Sequence, residues 1–172
     1  MSNLLLQPDL SGNGPIHDVT PASAGWSHVG FGLHDLAAGT SVGSDGTADE
    51  ICLVLLSGSV RIIAGDLDTG MLQGRASVFD KVAPHAVYVP MKTIWQVEAG
   101  SNSELAVCRA PGTEGKLPPR LIGSQNMPLE TRGTGSNVRH VCNILPETEP
   151  ADSLLVVEVI TCLLYTSDAA DE

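Results

Sequence analysis

Five histidines (17, 28, 34, 85 and 140) and four cysteines (52, 108, 142 and 162) are the residues best suited to hold a metal or move a proton. Their spacing does not make them converge. His28 and His34 share one face of a strand-like run, but at ~3.3 Å per extended residue they stand roughly 20 Å apart. Metal ligands close to about 2 Å around one ion, so these two do not serve together on a straight strand. Neither His-x-His nor His-x-x-x-His occurs, and the cysteines show no Cys-x-x-Cys or zinc-type spacing. Three of the cysteines sit in apolar runs, where a buried, reduced thiol is expected. His85 follows Pro84 in a turn-like stretch and reads as solvated. There is no Gly-x-Ser-x-Gly elbow for a nucleophile. Gly43-Ser44-Asp45-Gly46 does not lie between a strand and a helix, as a phosphate loop must.

The cations say more. Arg132, Arg139 and His140 lie close together in a chain with few positive groups, and Arg grips a carboxylate through two parallel hydrogen bonds. Such a group could hold a ligand carboxylate. The plainer alternative is that they offset Glu130, Glu147 and Glu149. Asp49-Glu50, ahead of an apolar run, reads as a solvated turn rather than a catalytic pair.

Strands must position these groups. Val29, Phe31 and Leu33 alternate with His28, Gly30, Gly32 and His34 on the opposite face. Ile51 to Leu56 is continuously apolar, as for a strand buried on both sides. It meets Ser57-Gly58-Ser59 and returns as Val60 to Ile63, which predicts a hairpin. Further strands are predicted at Ser77–Phe79, Ala86–Val89, Thr93–Val97 and Glu104–Cys108. No convincing 3.6-residue period precedes residue 110, so the fold class is all-β, a sandwich or barrel. Between 111 and 135, nine of 25 residues are Gly or Pro, which excludes a regular helix or a central strand. Apolar content resumes at Val138–Leu145 and Leu154–Ile160. The predicted organisation is a first barrel over 1–110, a Gly/Pro-rich linker over 111–135 and the start of a second β unit over 136–161. The tail at 162–172 breaks the style of the chain and resembles translated sequencing-adapter DNA, so it is set apart from fold reasoning.

Composition limits the partners. The 172 residues carry 20 Asp+Glu against 9 Lys+Arg, a formal charge of −11. That argues against nucleic acid, whose phosphates need clustered cations, and against anionic membrane surfaces. The start lacks a basic segment followed by a long apolar one, so no secretion signal is expected. The apolar run from Leu154 to Tyr165 is too short to span a bilayer. A soluble, cytoplasmic protein is expected. Aromatics are 3% of the chain, so Val, Ile and Leu must fill the core.

Longer strings carry a resemblance. His17-Asp-Val-Thr-Pro-Ala-Ser-Ala-Gly-Trp26, Cys52-Leu-Val-Leu-Leu-Ser-Gly58, Ala86-Val-Tyr-Val-Pro90, Glu104-Leu-Ala-Val-Cys108, Asn143-Ile-Leu-Pro-Glu147 and Pro150 to Thr161 resemble the sugar-acid isomerase family of 5-deoxy-glucuronate isomerase and 5-keto-4-deoxyuronate isomerase. The resemblance covers nearly all of residues 1–161 in order. It implies a bicupin, with residues 1–110 as the N-terminal cupin barrel and 136–161 as the beginning of the second. Metal-binding cupins take His-x-His and Glu from one motif and a further His from another. Here Glu50 is one residue off the usual spacing to Gly58, Lys92 stands where Gly is usual and Trp95 where His is usual. The first barrel is thus expected to hold no metal. In the family the metal-binding His and Glu residues belong to the second barrel, beyond Ile160-Thr161.

The implied activity is aldose–ketose isomerisation of 5-deoxy-glucuronate to 2-deoxy-5-keto-gluconate in myo-inositol catabolism. A uronate carboxylate needs a local cation, so Arg139, with Arg132 second, is the candidate substrate-binding residue; the alternative is that these arginines pack the two barrels. The implied cofactor is a divalent metal in the full-length enzyme, and the implied partners are a small-molecule sugar acid and further copies in a homo-oligomer. A chain without the second barrel is expected to be an inactive fragment. The alternative is a metal-free cupin that binds sugar or acts as a scaffold without catalysis.

Overall fold

The computed structural model describes residues 6–11 and 14–161. The start at 1–5 and the adapter-like tail at 162–172 lie outside the described residues. Strands β1 (His17–Val19), β2 (Gly30–Leu36), β4 (Asp49–Ser57), β7 (His85–Val89), β9 (Ser103–Pro111) and β10 (Arg120–Ile122) form an antiparallel sheet in the order β1-β2-β9-β4-β7-β10. Strands β3 (Ser41–Ser44), β5 (Ser59–Ala64), β6 (Leu67–Gln73) and β8 (Trp95–Ala99) form a second sheet, ordered β3-β8-β5-β6. A third sheet holds β11 (Leu129–Arg132), β12 (Arg139–Leu145) and β13 (Val156–Thr161). Among the described residues the single α-helix is one turn, Pro21–Ala24, started by a Thr20–Ser23 capping box, as the missing helical period predicts.

β4 is the axis of the molecule. Its Ile51, Leu53 and Leu55 face the four-stranded sheet with Val60, Ile62, Val87, Val97, Leu105 and Val107. Cys52 and Val54 face the other way, against Cys142, Ile144 and Val156 of the three-stranded sheet. The strand is thus buried on both sides, as its unbroken apolar run predicts. Each fully enclosed Leu contributes roughly 1.5–3 kcal/mol.

The expected hairpin at Ser57-Gly58-Ser59 is a corner instead. β4 pairs with β7 and β9, while β5 pairs with β6 and β8. Gly58 takes φ +85°, and a Cβ there would stand 2.4 Å from Asn102 O. The Ser59 N–H donates to Ser101 Oγ at 2.9 Å and Ser103 Oγ at 3.0 Å. The β9 approach therefore turns the chain from one sheet into the other, and the true hairpin is β5–β6. Ser77–Phe79, expected as a strand, is a turn held by Asp80 Oδ2, which accepts from the Ala76 and Ser77 N–H groups. His85, expected in a solvated turn, opens β7, and its Nδ1 accepts from the Ser124 N–H at 3.4 Å.

The 111–135 stretch is ordered against both units. Asp152 Oδ2 accepts from the N–H groups of Thr113, Glu114 and Gly115 at 2.9–3.0 Å. β10 adds to the edge of the six-stranded sheet beside β7, and β11 forms an edge of the third. Both are edge strands, where Gly and Pro neighbours are tolerated.

Candidate functional site

The richest set of polar side chains lies at one end of the first barrel. Along β2 the inward residues are Gly30, Gly32, His34 and Leu36, while Phe31 is exposed. The small and polar face of the alternation thus points inward, for a steric reason. Arg109 on β9 sits opposite Gly30, and a Cβ on Gly32 would stand 3.0 Å from Arg109 Nη2. The two glycines leave the room that the guanidinium occupies. Arg109 Nη1 donates to Asp18 Oδ1 of β1 at 3.0 Å.

Around this arginine lie His34, Ser44, Thr47, Asp49 and Trp95, lining a cavity of about 280 Å³. Burial, and then the nearby Arg109 charge, push the His34 pKa below its ordinary value of 6.5 against the opposing pull of Asp18. The imidazole is therefore neutral at neutral pH. Trp95 is 5% exposed, and its indole N–H has no acceptor among the described residues. Lys92, where a Gly was expected, takes φ +61°, a left-handed conformation that costs an L-residue roughly 1–2 kcal/mol.

This mouth does not fit a divalent cation. Trp95 supplies no ligand atom, and Arg109 brings a positive charge to the cavity that Asp49 lines. Among the described residues no three His, Cys, Asp or Glu side chains are grouped to hold an ion. What the mouth offers is a mixture of hydrogen-bond donors and acceptors.

The arginines singled out from sequence lie elsewhere. Arg132 and Arg139 are directly opposite each other on β11 and β12, and both are exposed. Cys142 and Ile144 face the first barrel, so the alternation turns Arg139 and Asn143 to the other side. Arg132 pairs with Glu130 at 2.7 Å, the offsetting partner weighed above. Among the described residues no ion pair engages Arg139. His140 Nδ1 lies 3.1 Å from Thr131 Oγ1.

Two buried ionic groups fix that sheet to the barrel. Glu50 was expected in a solvated turn, but it is fully buried within β4. Its Oε2 accepts from Tyr88 Oη and the Asp152 N–H, both at 2.8 Å. Its Oε1 accepts from the Ser153 N–H, the Leu154 N–H and Ser153 Oγ at 2.5–3.0 Å. These donors replace water, which is how a carboxylate tolerates full burial. Arg75 meets the Glu158 carboxylate through both terminal nitrogens and also donates to the Leu56 and Val82 carbonyls. The Arg120 guanidinium lies 4.6 Å over the Tyr88 ring. It also borders a cavity of about 350 Å³ shared with Asn126, Asn143, Thr148 and Glu149.

Arg75, Arg109 and Arg120 were not singled out from sequence. A signal existed for Arg109: it shares the strand parity of Leu105 and Val107, and Gly30-x-Gly32 supplies the space facing it. None existed for Arg75, whose partner lies 83 positions away.

Comparison with known proteins follows the same outline. The model of the KduI/IolB family matches residues 4–165. The 5-deoxy-glucuronate isomerase of Geobacillus kaustophilus is 45% identical over 164 residues, 94% of this chain and 58% of that protein. The Bacillus subtilis enzyme of the same name is 35% identical over 94% of this chain and 61% of its own length. The crystal structure of an IolB-like protein from Salmonella typhimurium matches with a TM-score of 0.84 at 44% identity, over 88% of this chain and 57% of that one. Ylba from E. coli, 15% identical with a TM-score of 0.52 over 83% of this chain and 61% of that one, shares the fold alone. The chain thus spans little more than half the length of the relatives it matches.

Proposed function

The chain belongs to the KduI/IolB family, and from that premise we propose that it forms the first cupin barrel and the opening sheet of a cytoplasmic 5-deoxy-glucuronate isomerase. The reaction is the aldose–ketose conversion of 5-deoxy-glucuronate to 2-deoxy-5-keto-gluconate. The observation that supports this most is the docking of β11–β13. Glu50 and Arg75 anchor one face of that sheet to the first barrel and leave the opposite face, with Arg139 and Arg132, as a wall for a second barrel.

Four residues of the chain have parts in this. Glu50 and Arg75 hold the wall rigid through buried, charge-assisted bonds. Arg139 grips the uronate carboxylate through its paired N–H groups, with Arg132 beside it, and so orients the sugar. A divalent metal in such an enzyme would polarise sugar oxygens. The described residues do not assemble a set to hold one, so no step of this chain runs through it. Association with further copies belongs to the same proposal.

A chimera tests it: residues 1–161 of this chain replace the matching part of the Geobacillus kaustophilus enzyme. The chimera is expected to isomerise 5-deoxy-glucuronate. Losing a paired carboxylate contact costs about 1.5–3 kcal/mol, so Arg139→Ala should raise KM ~10- to 100-fold with kcat little changed. A folded chimera without activity overturns the function, and an unchanged KM overturns the role of Arg139.

A further inference from the structure

The mouth of the first barrel has no part in the isomerase proposal, yet its polar groups have bonds left to make. The Trp95 indole N–H is buried without an acceptor among the described residues. No side-chain hydrogen bond among the described residues engages His34 or the Asp49 carboxylate. Arg109 spends one nitrogen on Asp18, and its Nη2 lies in the space left open by Gly32.

We propose that this mouth binds a neutral polyhydroxylated ligand, a monosaccharide or a polyol, with Trp95 and Arg109 donating to its oxygens and Asp49 and His34 accepting from its hydroxyl hydrogens. The hydroxyl is the ligand group that both donates and accepts, so a ring of them matches the mixture present. A carboxylate ligand would face Asp49 in a chain of net charge −11, and a cationic one would face Arg109. An apolar ligand would leave the Trp95 N–H and the Asp49 carboxylate desolvated and unpaired. The cavity of about 280 Å³ lies at the small end of ligand sites, roughly 300–1,000 Å³, which fits one sugar ring and not an oligosaccharide. One neighbouring cleft shares Trp95 with it, and another shares Asp49 and Arg109.

The indole N–H is its own reporter. The chain has two tryptophans, Trp26 and Trp95, so its ¹H–¹⁵N spectrum holds two indole resonances. Trp95→Phe assigns them, and Trp26→Phe at an exposed position does so if Trp95→Phe fails to fold. D-Glucose or sorbitol, titrated into the 172-residue chain, should move the Trp95 resonance along a saturating curve with Kd in the ~1–10 mM range. D-Gluconate should bind ~10-fold more weakly, and Asp49→Asn should weaken glucose binding ~5- to 10-fold. Arg139→Ala should leave the curve unchanged, which separates this site from the isomerase proposal. A Trp95 resonance that stays still to ~100 mM of both neutral probes overturns the site. D-Gluconate binding more tightly than D-glucose overturns the ligand class. Dependence on Arg139 with indifference to Asp49→Asn overturns the location.

Discussion

Replacing Glu50 by Gln keeps the side chain's shape and removes its charge, which isolates the clamp between the two units. The carboxylate accepts five hydrogen bonds, two on Oε2 and three on Oε1. In Gln one oxygen becomes a donor facing donors. The least costly orientation puts the amide nitrogen at the Oε2 position. Tyr88 can turn its hydroxyl to accept, but the Asp152 N–H is then left unpaired. The three bonds on the other oxygen become neutral ones, worth about 1 kcal/mol less each than bonds to a charged acceptor. An unpaired buried donor adds about 1–3 kcal/mol. The sum, about 4–6 kcal/mol, overlaps the usual cost of breaking a buried charged pair, about 3–5 kcal/mol. At roughly 2–4 °C per kcal/mol for a domain of this size, Tm should fall by roughly 8–24 °C. Tyr88→Phe removes one bond of the five and should cost about 1 kcal/mol. The assay is thermal unfolding of both single variants and the double variant, with hydrogen exchange read at the Asp152, Ser153 and Leu154 amides. Those amides should lose protection in Glu50→Gln before the rest of the sheet. A Glu50→Gln shift no larger than that of Tyr88→Phe, with protection at 152–154 unchanged, refutes the clamp.

Other consequences are as direct. Arg75→Ala strands the partly buried Glu158 carboxylate and should cost about 3–5 kcal/mol, whereas the joint change Arg75→Met with Glu158→Leu removes both charges, leaves only the Leu56 and Val82 carbonyls without their donor, and should cost less; urea unfolding distinguishes them, and equal costs would refute the pairing. His34 is held below its ordinary value of 6.5 in the folded state. Unfolded chains therefore take up a proton that the native state refuses, so its contribution is complete above about 6.5 and erodes as pH falls. His34→Gln should flatten the stability profile on the acid side of that value, and an unchanged profile would count against it. Burial pushes the Cys108 and Cys142 thiols up to about 11 and Cys52 higher still. All three should resist iodoacetamide at pH 8 until urea is added, as read by peptide mapping, and fast native alkylation at any of them would contradict the packing.

Much of the fold was legible in local pattern. The unbroken run Ile51–Leu56 announced a strand enclosed on both sides, and the alternation through Val29–His34 announced β2. The Gly and Pro density of 111–135 excluded central strands and left room for the edge strands β10 and β11. Other elements were hidden for stated reasons. Ser57-Gly58-Ser59 has the residues of a turn whether the chain doubles back or crosses between sheets. The choice was made by Ser101 and Ser103, more than 40 positions away. β3 has one apolar side chain, Val42, and in β6 Leu67, Met71 and Leu72 do not keep one alternation, so neither pattern carried a signal.

The candidate site divides in the same way. Residue type and spacing established that no metal-ligand motif runs through 1–161, that Arg132 and Arg139 are neighbours in a poorly cationic region, and that the chain resembles sugar-acid isomerases. The amino-acid sequence by itself thus determined the class of fold, the apolar strands and the family. Only the tertiary structure decided that Glu50 is buried, because its water is replaced by N–H groups 102 to 104 positions along the chain. It also decided that Arg109, His34, Asp49 and Trp95 meet at one mouth, because strand pairing brings together residues that the chain separates. Local pattern reports which face of a strand is apolar. What covers that face, and which charges survive beneath it, depends on partners that no short window contains.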